Sequence, residues 1–236
     1  MIVGLSKGGL ASAAALAVPM LSLIMSPIEA AAILLPVFLA TDWMAVWLYR
    51  RDYSASNIAI LVPAMLLGIA LATIITPYTP ESALLIATGL IGVWYGARNR
   101  FGRRTGAPVP ARIGRGLFWG ILTGITSFIT HSGSPPAQAY LMPQRLPKLV
   151  FAGTIAIAFA IGNLAKIPGY WAIGAFGDLN LGMTLALVAA GLLGTIAGRW
   201  LVHRLDDRVY LRVIEALLLV LSVVLLWRGT TLVLGA

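Results

Sequence analysis

Apolar residues fall in long, nearly unbroken blocks at positions 8–25, 30–49, 58–75, 83–97, 116–129, 149–171, 181–197 and 213–227. Short turn-forming stretches separate them, among them Ser26-Pro27, Arg50-Arg51-Asp52, Pro77-Tyr78-Thr79-Pro80, Leu146-Pro147-Lys148 and Leu205-Asp206-Asp207. The blocks lack the period-two alternation of a barrel strand. A helix also satisfies its own backbone hydrogen bonds in lipid. The pattern predicts an all-α, polytopic integral membrane protein with about seven to eight transmembrane helices of about 20 residues each.

Composition strengthens this picture and narrows the function classes. Of 236 residues, 59% are hydrophobic and only 11% charged, where soluble domains carry roughly a quarter of charged residues, and the mean hydropathy is +0.91. Little chain remains for a soluble catalytic domain. With no cysteine and only His131 and His203, far apart in sequence, thiolate and His-rich metal sites are not expected, and neither is any cofactor. The start at Met1 lacks the basic n-region and small-residue exit of a cleavable signal.

The formal charge of +9 is concentrated where a membrane protein puts it. Arg98, Arg100, Arg103, Arg104, Arg112 and Arg115 crowd around one stretch between apolar blocks, as cytoplasmic loops do. Anionic lipid is the expected partner of that loop, and nucleic acid is not. The chain thus divides into a first transmembrane repeat at 1–97, a basic cytoplasmic loop at 98–114 and a second repeat at 115–236.

Orientation follows from the basic residues. Arg50-Arg51, the basic loop, Arg145 with Lys148, and Arg204, Arg208 and Arg212 belong inside, whereas 26–29, 76–82 and 174–180 carry no Lys or Arg and belong outside. The two halves then have opposite orientation. The segment from Arg115 to Arg145 must enter the membrane and return. Its first arm, 116–129, is about 20 Å long as a helix, short of the roughly 30 Å core, so a re-entrant or sharply bent hairpin is expected.

Two polar, glycine-rich breaks interrupt the apolar sequence about half a chain apart: Ser6-Lys7-Gly8-Gly9 and Thr130-His131-Ser132-Gly133-Ser134-Pro135-Pro136. Matched helix breaks in two inverted halves are the sequence pointer to a transporter's central site. Lys7 reads as opening a helix whose amides and dipole favour an anion; the competing reading has it snorkelling to the chain start. In the second break, Pro135-Pro136 suit a helix start, leaving the amides of Ser132, Gly133 and Ser134 to face an oxyanion. The competing reading is a stiff turn with a hydrogen-bonded core histidine.

Three more polar residues interrupt spans. Asp42 lies about two turns before Arg50, and Asn163 with Lys166 lie at comparable depth in the second half. Each either lines a path or snorkels to the interface, and Asp42 or His131 is a candidate for proton coupling. Trp43, Trp47, Tyr49, Trp94, Tyr95, Tyr170, Trp171 and Trp227 suit interfacial belts. Gly4-Leu5-Ser6-Lys7 has the outline of a nucleophile turn, but Lys7 stands where such a turn needs glycine, and an intramembrane hydrolase is disfavoured.

Taken together, Gly4-Leu5-Ser6-Lys7-Gly8-Gly9 followed by Pro19, Asp42 with Tyr49-Arg50-Arg51, Leu61-Val62-Pro63 with Gly68, His131-Ser132-Gly133-Ser134-Pro135-Pro136 with Tyr140-Leu141, and Asn163 through Tyr170 resemble the TauE/SafE sulfite exporter family. The resemblance covers almost the whole chain. It implies a multi-pass carrier of the bacterial inner membrane, moving sulfite, an organosulfonate or a related sulfur oxyanion. The substrate cradle would be Ser6, Lys7, Gly8 and Gly9 together with Thr130, His131, Ser132, Gly133 and Ser134, with Asn163 and Lys166 as the polar pair of the second half. Members usually carry a helix leading into the first glycine motif, where only Met1-Ile2-Val3 precede Gly4 here, which leaves the completeness of the N-terminus open. The expected partners are a small anionic substrate and the bilayer, and a homo-oligomer is open. The reading from another class is a non-transporting membrane scaffold or assembly factor.

Overall fold

The computed structural model describes residues 2–9, 14, 17, 21, 27–75, 78, 80–101, 108–131, 133–172 and 181–235. Among these, the chain is helical: α1 (Ile2–Lys7), α2 (Pro27–Tyr49), α3 (Ala55–Ile75), α4 (Glu81–Phe101), α5 (Ile113–Thr130), α6 (Ser134–Leu141), α7 (Lys148–Ala165), α8 (Ile167–Ala172), α9 (Leu181–Arg204) and α10 (Asp207–Leu234). Among the described residues, four stretches are long and apolar enough to cross a membrane: Ala55–Ile75, Lys148–Trp171, Gly182–Arg204 and Arg208–Leu234. Ile33–Tyr49 and Leu85–Trp94 are shorter apolar helical stretches. Most of the first apolar block beyond Gly9, Ser132 and the 173–180 loop lie outside the described residues.

Each apolar block after the first maps onto a helix, except that 149–171 is divided between α7 and α8 by a turn at Lys166. Pro36 and Pro63 sit inside α2 and α3, a tolerance usual for helices whose neighbours re-satisfy the freed backbone. The second break ends α5 at His131, which adopts the left-handed conformation at φ 52°. The eight-residue α6 follows, with Pro135 and Pro136 in its first turn, then a 3₁₀ turn over Met142–Gln144. At eight residues, α6 is about 12 Å long, so the return arm is far shorter than a full crossing. The first arm is longer than the apolar pattern indicates, since Ile113, Gly114 and Arg115 ahead of Gly116, and Thr130 after Ile129, bring the helix to 18 residues.

Helix packing runs through glycine. Helix α3 packs along α5 and α9 along α1, while α2 packs on α7 and α4 on α10. At the α3–α5 contact, a Cβ on Gly124 would lie 2.1 Å from the Met65 carbonyl oxygen, and one on Gly68 2.2 Å from that of Ile121. The α1–α9 contact has the same character, since a Cβ on Gly4 would fall 1.9 Å from the Gly191 oxygen and one on Gly8 2.5 Å from that of Thr195. Only glycine permits such approach, and close backbone contact is what holds helices together where lipid supplies no hydrophobic drive.

Candidate functional site

Helix α2 shows how the sequence aims its polar residues. Leu35, Phe38, Asp42, Ala45 and Tyr49 recur at helical spacing and are all buried, while Trp43 and Trp47 on the opposite face are exposed. Helix α7 does the same with Ala152, Ile155, Ala156, Phe159 and Asn163, all buried. The two faces meet, and the glycine breaks close the space between them.

A cavity lies there, lined by Ser6, Lys7, Gly9, Ala14 and Phe38 from the first half and by Ser127, His131, Ser134, Phe159 and Asn163 from the second, with Ala152, Ile155 and Ala156 completing the apolar wall. Its interior is ≈ 30 Å³, counting positions open to the centre of a water-sized sphere. One water needs about 10–15 Å³ by that measure, so the space suits a few waters or one small ion.

Charge is sealed into this region. Lys7 is 8% exposed, Asp42 1% and Lys166 0%. Lys7 Nζ forms an ion pair with Asp42 Oδ1 and sits over the rings of Phe38 and Phe159, 5.1 and 5.5 Å from their centroids. Asn163 Nδ2 donates to Asp42 Oδ2 at 2.7 Å. Lys166 Nζ donates to Asn163 Oδ1 at 2.8 Å and lies 3.2 Å from His131 Nδ1.

The chain of bonds continues through His131. Tyr170 Oη donates to the Phe128 carbonyl at 2.9 Å and lies 3.1 Å from His131 Nε2. With its proton committed to Phe128, the phenol accepts from Nε2–H, which leaves Nδ1 to accept from Lys166. The imidazole is stacked on Phe38, 4.7 Å between centroids and 7° between planes. Lys7, Asp42, Asn163, Lys166, His131 and Tyr170 therefore form one connected polar network from α1, α2, α7, the end of α5 and α8.

The structure corrects several sequence expectations. Lys7 does not open a helix; it occupies the last turn of α1. Gly8 and Gly9 end that helix, Gly9 at φ 133°, a conformation that only glycine adopts readily, and a cation suits the carbonyl end of a helix. Neither Lys7 nor Lys166 snorkels, since both are buried. Lys166 does not border the cavity but stands behind Asn163 and His131. Tyr49 and Tyr170 are not belt residues: both are buried. Trp43, Trp47, Trp94, Trp171 and Trp227 are exposed, as a belt requires.

The remaining expected site residues fall around the cavity in different ways. Ser6, Gly9, His131, Ser134 and Asn163 line it, as Lys7 does. Gly8 presents its carbonyl to the Tyr49 hydroxyl instead, and Gly133 is packed so closely that a Cβ would lie 2.8 Å from Ser127 Cβ. Thr130 is the last residue of α5, of which only the backbone is described, and Ser132 lies outside the described residues.

Residues that sequence reasoning missed hold the first break in place. Tyr49 Oη donates to the Gly8 carbonyl and Tyr210 Oη to the Gly9 carbonyl at 2.8 Å. The Arg199 guanidinium lies 4.4 Å from the Tyr49 ring centroid. Ser127 and Phe159 were also missed, although their helical spacing to His131 and to Asn163 was a usable signal.

A helical chain with, among the described residues, four candidate spans and a buried charged network is a membrane protein with an internal polar site. The chain belongs to the TauE/SafE sulfite exporter family, whose model, described as "Sulfite exporter TauE/SafE", matches residues 1–226. It is therefore of a membrane-transporter class associated with sulfur compounds, and not an enzyme. No curated protein and no solved structure matches it.

Proposed function

We propose that the cavity between the two glycine breaks binds one small anion, such as sulfite, an organosulfonate or a related sulfur oxyanion, and that the protein carries it across the bacterial inner membrane by alternating access. The observation that carries this reading is the buried charge balance. Among the described residues, two buried lysines, Lys7 and Lys166, share the site with one buried carboxylate, Asp42. Buried charges persist when paired or functional, and an anion beside Lys7 and His131 would balance the excess. Ser6 and Ser134 add hydroxyls at the cavity wall, and its size admits an anion of a few heavy atoms.

The inverted repeat is part of the same proposal. Under an exchange of α1 with α5, α2 with α7, α3 with α9 and α4 with α10, the α1–α9 contact becomes α5–α3, and α2–α9 becomes α7–α3, while α2–α7 and α4–α10 map onto themselves. Residues of both halves line the cavity, which supports a site at the interface of such repeats. The test is stabilisation of the purified protein by anions, since a ligand of the native state raises its melting temperature by mass action. A shift that grows with sulfite, thiosulfate or a short sulfonate, and disappears in Lys7→Met, supports the reading; no shift with any of them refutes it and favours the scaffold alternative.

A further inference from the structure

The network distributes its charges unevenly. Lys7 has the Asp42 carboxylate as its counter-ion, and Asn163 holds the other oxygen of that carboxylate. Lys166 is as deeply buried, yet among the described residues no carboxylate lies within ion-pair reach of it. Its contacts are the Asn163 amide oxygen and the His131 ring. The groups that face it are Lys7 from α1, Asp42 from α2, His131 at the end of α5 and Tyr170, through His131, from α8.

Lys166 Nζ and His131 Nδ1 are two basic nitrogens in contact inside the protein, and an anion in the cavity supplies the opposite charge that favours one more proton on them. The site then has two balanced conditions. With the Lys166–His131 pair neutral, Lys7⁺ and Asp42⁻ balance each other in the empty site. Occupied by a monoanion, it holds one more proton on that pair. The 3.2 Å contact between Nζ and Nδ1 lets either group hold this proton, so it belongs to the pair.

Resting on the anion-site reading above, we propose that each anion enters together with one proton, taken up by the Lys166–His131 pair and released with the anion on the far side, so that the protein is a proton–anion cotransporter. The balance is explicit. A proton from water adds to a lone pair of Lys166 Nζ or His131 Nδ1 as the anion leaves water for the cavity, and no net charge enters the site. Flux in either direction is then set by the anion and pH gradients together, and for a monoanion the cycle carries no net charge. The sequence points to Asp42 or His131 for the proton; the pairing of Asp42 with Lys7 shifts the role to Lys166 with His131.

The experiment is calorimetric titration of the purified full chain with methanesulfonate, which stays a monoanion across the working pH range, in two buffers of different ionisation enthalpy. The buffer dependence of the heat gives the protons taken up per anion. The expected value for the wild type is near one at alkaline pH, with affinity falling about tenfold per pH unit there, as linkage requires for one coupled proton. Lys166→Arg, whose charge is permanent, should bind with proton uptake near zero. Methanesulfonate binding with no proton uptake by the wild type, or unchanged uptake in a folded Lys166→Arg protein, overturns the cotransport proposal and leaves the anion site standing. Absence of binding by methanesulfonate, sulfite and thiosulfate alike would remove both.

Discussion

Lys7→Met, Asp42→Asn and the double variant measure whether the buried ion pair is a unit. Both side chains lie almost entirely out of solvent, at 7% and 2% exposure. Two unit charges at about 4 Å in an effective dielectric of about 20 attract by about 4 kcal/mol. Removing one partner leaves the other buried without its counter-charge, which typically costs about 3–5 kcal/mol. Each single variant should therefore be destabilised by that amount. The double variant removes both charges, and the amide oxygen that replaces the Asp42 carboxylate can still accept from Asn163, so it should fall only about 1 kcal/mol below wild type, on the scale of one hydrogen bond. Unfolding of the three variants in the same detergent, followed by circular dichroism at fixed pH, gives the coupling from the double-mutant cycle. Costs that simply add, with the double variant the least stable of the three, would refute the pairing.

Other consequences follow from packing and topology. Gly124→Leu should abolish accumulation of folded protein, because its Cβ would overlap the Met65 carbonyl, whereas Gly114→Ala, with nothing within 4 Å of the new atom, should gain about 0.5–1 kcal/mol of stability in a thermal melt. Tyr49→Phe and Tyr210→Phe each remove one donor to the Gly8–Gly9 turn and should each cost about 1 kcal/mol, with a loss of transport from a protein that still inserts; unchanged flux in both would show that the turn needs no fixing. Single cysteines are clean probes in a chain without native cysteine: Tyr78→Cys should be labelled from outside and Asp206→Cys only from inside, and the same side for both would break the inverted-repeat proposal.

The helices were legible because each long apolar block has a single way to satisfy its backbone in lipid, and the turn residues between blocks marked their ends. The breaks were legible because each clusters glycine with polar residues, and the second adds two prolines, unlike the isolated glycines and prolines inside the helices. What α1 does at Lys7 was not, because a glycine pair can begin or end a helix. Nor was the pairing of Lys7 with Asp42 across 35 residues, since sequence gives the face of each helix and not which faces meet. Tyr49 was misplaced for a related reason. Its spacing from Asp42 put it on the buried face, but aromatic residues beside Arg50-Arg51 also suit an interface, and the close packing at Gly8 that seals it was a tertiary fact. The glycine spacing of Gly4 with Gly8, and of Gly116, Gly120 and Gly124, was readable as helix contact faces.

The most direct measurement of the central claim is uptake of sulfur-35-labelled sulfite into proteoliposomes, with sulfate, thiosulfate and short sulfonates as competitors. The account predicts saturable uptake that one or more of these anions compete for. It also predicts that uptake is lost in the Lys7→Met/Asp42→Asn protein, which keeps its fold. Saturable flux that survives in that variant, or no flux for any of these anions by a folded wild type, would contradict it.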